Sequence, residues 1–278
     1  MTDYQHIIVD SPLESVSRIT LNRPDSRNAL NNVLRGEIYS TLEANDNNDA
    51  IRVTIIRGAG QAFCAGYDLK GNSDEDRPFH TAGGDGSWAR HVVEGAFRVW
   101  DLAKPVIAQV HGYCLAGGTE LATSCDLVYV AEDAKIGYPV VRSMSPPDNQ
   151  FFPWVVGMRN AMEMMLTGDA ISGTDAANYG FANRAFPVDE LEAEVMKVAA
   201  KIAKIPPDIE QMNKRAVHRQ MDLMGMRAAI RQGTEIQALA FHTTSTRAHF
   251  KELAGGLTDA LSKRDGKFGD YRTSGKED

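Results

Sequence analysis

His111-Gly-Tyr-Cys-Leu-Ala-Gly117-Gly-Thr-Glu120-Leu121 joins an apolar strand, a glycine turn and the start of a helix that bears one carboxylate. Glycine permits close backbone approach and unusual dihedrals, so Gly117 and Gly118 at a helix start aim unpaired amides at a ligand. The helix dipole adds partial positive charge at the same point. Glu120 follows within two or three residues, in reach of anything the Gly117 amide holds. Two readings fit this spacing: a tight connection with a capping carboxylate, or an anion cradle beside an acid. In a dry pocket, desolvation raises a glutamate toward neutral pH, where an acid/base group works best.

Outward from that turn, β-rich runs over 106–110 and 127–130 flank the helix and give a strand, turn, helix, strand cadence. Earlier strands are expected over 17–21 and 53–56, with an amphipathic helix over 31–44 between them. A second glycine turn, Ala62-Phe-Cys-Ala-Gly66-Tyr-Asp68-Leu69, follows the 53–56 strand in the same way. Two such turns on adjacent strands can bring one amide each onto a single oxygen, the geometry of an oxyanion hole. Losing one such donor costs about 2.7–4 kcal/mol in a transition state. Neither turn matches GxGxxG or a lysine-bearing P-loop, so a nucleotide site is not indicated.

The alternation points to an α/β fold. Residues 71–87 read as a mobile excursion rich in Asp, Glu, Pro and Gly, and a helix resumes over 88–103. After about residue 152 the texture becomes helical, with helices expected over 155–166, 172–179, 188–203 and 208–221 and a long pattern over 226–264. The organisation expected is a core over 1–200 carrying the site, and a helical region over 201–278 for site cover or oligomer contact. The last few residues are polar, and no fixed-period repeat occurs.

With 278 residues, 43% of them hydrophobic, the chain can bury a substantial core. Its net charge of −7 argues against a nucleic-acid surface while leaving room for a local basic pocket that takes a phosphorylated ligand. No apolar run approaches a membrane span, and the first residues carry no leader pattern, so a soluble cytoplasmic protein is expected. Cys64, Cys114 and Cys125 are odd in number and lack CxxC spacing, which indicates neither a disulfide framework nor a zinc site.

Several segments, in order and spacing, resemble the crotonase, or enoyl-CoA hydratase/isomerase, superfamily. They are Leu21-Asn-Arg-Pro24 with Asn28-Ala29-Leu30, the Ala62–Asp68 turn, Pro105-Val-Ile-Ala-Gln-Val-His-Gly112 with Gly117-Gly-Thr-Glu120-Leu and Cys125-Asp126, and Leu166-Thr-Gly-Asp169 with Ala176, Gly180 and Pro187. The resemblance runs from about residue 5 to about residue 268. It implies a core of repeated ββα units, a helical C-terminal region, and homotrimers commonly paired into hexamers. It further implies an acyl-CoA substrate, with no cofactor beyond the coenzyme A that the substrate carries, and membership of a lyase and isomerase family of fatty acid metabolism.

In that family the thioester oxygen is held by two backbone amides, here those of Tyr67 and Gly117, and the polarised carbonyl yields an enolate. Carry-over assigns CoA contacts to Asn28, Ala29, Ala65, Asp68, Leu69 and Gly118. Arg23 or Arg27 is matched to a CoA phosphate, a solvated surface arginine being the other reading. Lys263-Arg264 with Lys267-Phe268 resembles the family tail that approaches CoA.

The chain departs from the pattern where hydratases keep a second glutamate after Gly-x-Pro. Gly137-Tyr-Pro139 is followed here by Val140, which can neither hold the reacting water nor pass a proton. Ser145-Pro-Pro-Asp148-Asn-Gln replaces the usual glycine-rich loop, and the acyl end of the pocket is rebuilt. Glu120 is therefore expected to work without its usual partner, in proton transfer, non-hydration elimination or C–C cleavage rather than efficient hydration. Asp148 is a candidate replacement acid, an exposed turn or N-cap residue being the alternative. His91 and Tyr138 are candidate site residues against packing roles, and His111 is read as a structural hydrogen-bonder. The Met-rich run 158–165 is expected mainly in the core, with thioethers facing a bulky acyl group as the remainder, and Phe151-Phe152-Pro-Trp154 as a pocket wall. The competing functions are an acyl-CoA-binding protein without turnover and a thioester or C–C hydrolase using Asp148 or His91.

Overall fold

A computed structural model describes residues 4–70, 76–269 and 271. An antiparallel hairpin, β1 (Ile7–Leu13) and β2 (Val16–Leu21), opens the chain. Helix α1 (Asn32–Asp46) then crosses over to β3 (Val53–Gly58), which pairs with β2 in parallel. The Asn31 side chain caps α1 by accepting from the Leu34 amide at 2.8 Å. Leu34, Ile38 and Leu42, spaced by four, are buried against the sheet, and each burial contributes roughly 1.5–3 kcal/mol.

From β3 onward a unit repeats, in which a long strand turns tightly into a short one and a helix or helical turn follows. It occurs as β3, β4 (Ala62–Cys64) and α2 (Ser87–Trp100), then as β5 (Val106–Val110), β6 (Tyr113–Leu115) and α3 (Gly117–Ser124). The third pass is β7 (Leu127–Ala131), β8 (Lys135–Gly137) and a 3-10 turn over Pro139–Arg142. The ββα repetition follows the family expectation. Long strands form a six-stranded sheet in the order β1-β2-β3-β5-β7 with β10 (Arg184–Phe186) at the edge. Short ones form a second sheet, β4-β6-β8 with β9 (Ile171–Ser172). Every residue of β5 is buried, as a parallel strand covered on both faces requires. Because the short strands of the second sheet lie side by side, the helix-start turns after β4 and β6 come together at one edge.

The remaining helices are α4 (Phe152–Val155), α5 (Gly157–Thr167), α6 (Gly173–Tyr179), α7 (Leu191–Ile202), α8 (Pro207–Leu223), α9 (Met226–Ala240), α10 (Thr244–Gly255) and α11 (Leu257–Asp265). Two expected helices are divided. Gly157, at φ +74°, breaks the run expected over 155–166. The pattern over 226–264 splits at the Thr243 cap and again at Gly256, where φ is +156°. Of the expected excursion, residues 71–75 lie outside the described residues, as do the polar residues 272–278.

Helix α8 is tied to the core by Lys214 on Asp126 at 2.8 Å and by Arg52 on Glu210 at 3.1 Å. Helix α9 packs on α2 through Phe97, Trp100, Met226 and Ile230, with Phe151 in the same cluster. Phe152 lies in the main core, so the Phe151-Phe152 pair fills the interior rather than walling a ligand pocket. The methionine expectation is also corrected. Met158 and Met162 are 65% and 52% exposed while Met164 is buried, because α5 turns its 158, 162, 166 face outward.

Candidate active site

The turn before α3 places Ala116 at φ 50° and ψ −122°, a strained conformation for a residue with a Cβ. This sets the Gly117 amide at the open start of the helix. The facing turn touches it: a Cβ on Gly66, whose φ is +110°, would stand 2.9 Å from the Ala116 Cβ and 3.4 Å from the Gly117 nitrogen. Leu30 fixes this second turn from both sides, donating its N–H to the Gly66 carbonyl at 2.8 Å and accepting from the Asp68 N–H at 3.1 Å. The Tyr67 N–H between them has no partner among the described residues, and neither has that of Gly117. Two free amides thus lie on adjoining turns.

Glu120 is buried, and both of its carboxylate oxygens are occupied. Oε1 accepts from the Tyr138 hydroxyl at 3.0 Å and from the Asp148 and Asn149 amides at 2.8 and 3.4 Å. Oε2 accepts from the Tyr67 hydroxyl alone, at 2.8 Å. Burial raises Glu120 to about 7, with the four donors opposing that rise. Asp148 is buried in turn and held well above the usual carboxylate range by burial and then by Glu120, while Arg35 acts the other way. Its Oδ1 has no partner, and its carbonyl accepts from Thr234 on α9 at 3.0 Å. The exposed-turn alternative for Asp148 is thereby excluded.

A cavity of about 400 Å³ opens beside these groups. Its lining includes Tyr67, Tyr138, Val140 and Asp148, and also Arg27, Ala65, Asp68 and Leu69, eight residues singled out in the sequence. Val140 thus faces the space where a second glutamate would act. Arg27 lies over the Tyr113 ring, 5.2 Å from its centre, whereas Arg23 is paired with Asp68 at 2.8 Å. Ala29 and Gly118 are not in the cavity wall. Gly118 instead lets α3 press on β4, since a Cβ there would collide with the Cys64 carbonyl. Asn28 is structural, its amide donating to the Ala59 and Ala62 carbonyls at 2.9 and 2.8 Å.

His91 is buried away from the cavity, stacked on Phe79 at 4.2 Å with Nδ1 2.8 Å from the Thr81 hydroxyl. Burial first, then Arg35 and Arg77, lower it to about 4, so it is neutral and packs. His111 bonds the Gly60 carbonyl at 2.8 Å, the structural role expected of it. The three cysteines are free and buried, and burial pushes the Cys64 thiol up to about 12. Among the described residues no cluster is suited to a metal ion, and no helix is long and apolar enough to cross a membrane.

Sequence reasoning missed several site residues. Arg35, on the buried stripe of α1, bonds Asn32 at 3.1 Å and faces the Tyr67 and Trp88 rings at 5.9 and 5.4 Å. A charged residue among Leu34, Ile38 and Leu42 was the available signal. Gln237, Phe250 and Leu261 bring α9 to α11 into the cavity wall beside Arg264 of the expected tail segment, and nothing local in the sequence marks those three. Arg142 ties this cover down, bonding Asp169 at 2.7 Å and lying 3.6 Å from Asp265 and 3.9 Å from the Phe268 ring centre.

The family model described as Enoyl-CoA hydratase/isomerase matches residues 12–271. A mitochondrial enoyl-CoA hydratase of Pongo abelii is 30% identical over 273 residues, covering 96% of this chain and 89% of the relative. Among solved structures, an enoyl-CoA hydratase/isomerase from Xanthobacter autotrophicus Py2 superposes with a TM-score of 0.86 at 35% identity, covering 95% of this chain and 99% of the other. An enoyl-CoA hydratase from Mycobacterium smegmatis gives a TM-score of 0.88 at 29% identity, covering 97% and 96%. The chain belongs to the enoyl-CoA hydratase/isomerase family, within the crotonase superfamily.

Proposed function

We propose that the protein is an enzyme that converts an acyl-CoA through a thioester enolate. The Tyr67 and Gly117 amides hold the thioester oxygen, Glu120 is the principal acid/base, and Asp148 is the second carboxylate. Arg27, Ala65, Asp68 and Leu69 receive the CoA moiety, with Ala29 and Gly118 shaping the backbone beneath it. The observation that carries this reading is the pair of unpartnered amides on touching turns, beside a glutamate whose pKa lies near 7. Glu120 and Asp148 each disfavour ionisation of the other, and the Arg35 charge opposes that rise at Asp148, so the pair is suited to holding one proton between two carboxylates.

Proton transfer, non-hydration elimination and C–C cleavage are the reactions this arrangement serves. Efficient hydration is not among them, because Val140 stands where water needs a second acid. Two alternatives each have a specific support. Saturation of Glu120 by four donors favours a binding protein without turnover, and the unpartnered Asp148 Oδ1 favours a hydrolase that activates water. No cofactor is required beyond the CoA of the substrate. Exposed apolar residues on α5 and α9, Met158, Met162, Leu166, Ile236 and Leu239, support self-association, for which the family resemblance suggests a homotrimer or a hexamer, and a cytoplasmic location belongs to the same reading.

The test is a panel of saturated, enoyl and β-keto acyl-CoA thioesters, read by calorimetry for binding and mass spectrometry for product. Binding with conversion of at least one thioester, and slow hydration of crotonyl-CoA, is expected. Tight binding without product across the panel would leave the silent binder standing, and crotonyl-CoA hydration at ordinary hydratase rates would overturn the role given to Val140.

A further inference from the structure

Two spaces meet at one side chain. The 400 Å³ cavity does not include Glu120 in its wall. The carboxylate lines a separate space of about 20 Å³ with Arg35, Gly117 and Asn149, and Tyr67 is the residue that lines both. Its ring is fixed between them. A Cβ on Gly117 would fall 2.6 Å from Tyr67 Cε2, and Trp88 meets the ring edge-on with 5.2 Å between centres.

The two oxygens of Glu120 are also unequal. Oε1 already accepts three hydrogen bonds, whereas Oε2 accepts one, from Tyr67. A proton taken up by Glu120 therefore resides on Oε2, and its hydrogen-bond partner is Tyr67 Oη. Once Oε2–H donates to that oxygen, the tyrosine's own proton is released from the carboxyl and turns toward the cavity.

We propose that the Tyr67 hydroxyl is a proton relay between Glu120 and the α-carbon of the acyl-CoA. The relay rests on the enolate reading above and adds to it the path by which the proton travels. In the protonating direction, the enolate electron pair forms a new C–H bond with the Tyr67 proton as the Oη–H bond breaks. The Oε2–H bond of Glu120 breaks in the same step and its proton forms the new Oη–H bond. Tyr67 ends neutral and Glu120 ends as carboxylate, and the reverse sequence removes the α-proton. No other reactant is consumed. Burial holds the phenol well above its ordinary value, so Tyr67 is a carrier and not a store of charge.

The experiment follows α-deuterium loss from labelled butyryl-CoA by mass spectrometry, with calorimetry to report binding. Tyr67→Phe is expected to slow exchange by about 100-fold or more with Kd changed by less than about threefold, and Tyr138→Phe to slow it by less than about tenfold. Exchange by Tyr67→Phe within about threefold of the unaltered protein, or a greater loss in Tyr138→Phe, overturns the relay. A measurement on the unaltered protein guards against misfolding of the variant. Release of an α-tritium label in mixed H2O and D2O moves one solvent-derived proton, that of Tyr67, so the rate should fall in a straight line as the solvent deuterium fraction rises, and a rate independent of solvent deuterium overturns the relay. Binding without any exchange also overturns it while leaving acyl-CoA binding in place, whereas absence of binding overturns the thioester reading with it.

Discussion

The two walls of the cavity are built differently. The wall from the ββα core carries side chains such as Tyr67 and Tyr138 on turns that main chain holds to main chain: the Ala116 turn, and the Gly66 turn with the Leu30 bonds that clamp it. The opposite wall consists of side chains from α9 to α11, such as Gln237, Phe250 and Leu261, held down chiefly through Arg142 and Thr234. The first can fix the position of reacting atoms without reorganisation, which is what stabilisation of a developing oxyanion demands. The second can change shape with sequence and with ligand at little cost to the first. The proposed function therefore assigns chemistry to one wall and acyl choice to the other.

The strongest challenge to this division is Glu120→Gln, which should lower turnover by about 10²–10⁴-fold while leaving acyl-CoA affinity nearly intact. Steady-state kinetics beside calorimetry would check it, and an equal loss of affinity would show that the core wall also selects the ligand. The same variant carries a pH signature in denaturant unfolding. Folded protein keeps the Glu120 proton up to about 7, whereas an unfolded glutamate releases it near 4.5. Between those values the unfolded chain binds fewer protons, so the native protein loses stability relative to Glu120→Gln as pH rises from 4.5 to 7, and the difference is level above.

Next in size is Arg142→Ala, which leaves the buried Asp265 with Arg264 as its remaining ion-pair partner and should cost about 3 kcal/mol. Hydrogen exchange should show lost protection confined to α10 and α11, with KM raised more than kcat is lowered. Loss of protection spreading into β5 and β6 would mean that the two walls are one cooperative unit. Smallest is Val140→Glu, at the seam between them. It should raise crotonyl-CoA hydration by about tenfold, less than full hydratase activity because Asp148 and Tyr138 already occupy Glu120.

Legibility in the sequence followed the same division. Gly117, Glu120 and the Ala65–Leu69 segment were readable because glycine turns and helix starts are local events with fixed spacing. Arg27 and Val140 were readable through resemblance, each lying beside a recognisable motif. The strands β6 and β8 were not, since three residues carry no alternation, and neither was the Tyr67 hydroxyl bond to Glu120 across 53 positions. Periodicity identified a single face on the helix that carries Met158 and Met162 but contained nothing to say that it points outward. Asp148 stood between two readings for a related reason. Pro146-Pro147 before it is a surface-turn signal, and it is Glu120 and Thr234, both far from it in the chain, that hold the segment inward.

Leu30 has a consequence for how position 67 can change. Both of its bonds to the Gly66–Asp68 turn come from its main chain, so they orient the amide of residue 67 whatever side chain that residue carries. One position thus has two independent outputs, a nitrogen set by the Leu30 main chain and a hydroxyl set by residue type. A substitution there rewrites the second without disturbing the first. Divergence at position 67 can therefore alter the proposed proton traffic while the placement of its amide is inherited unchanged.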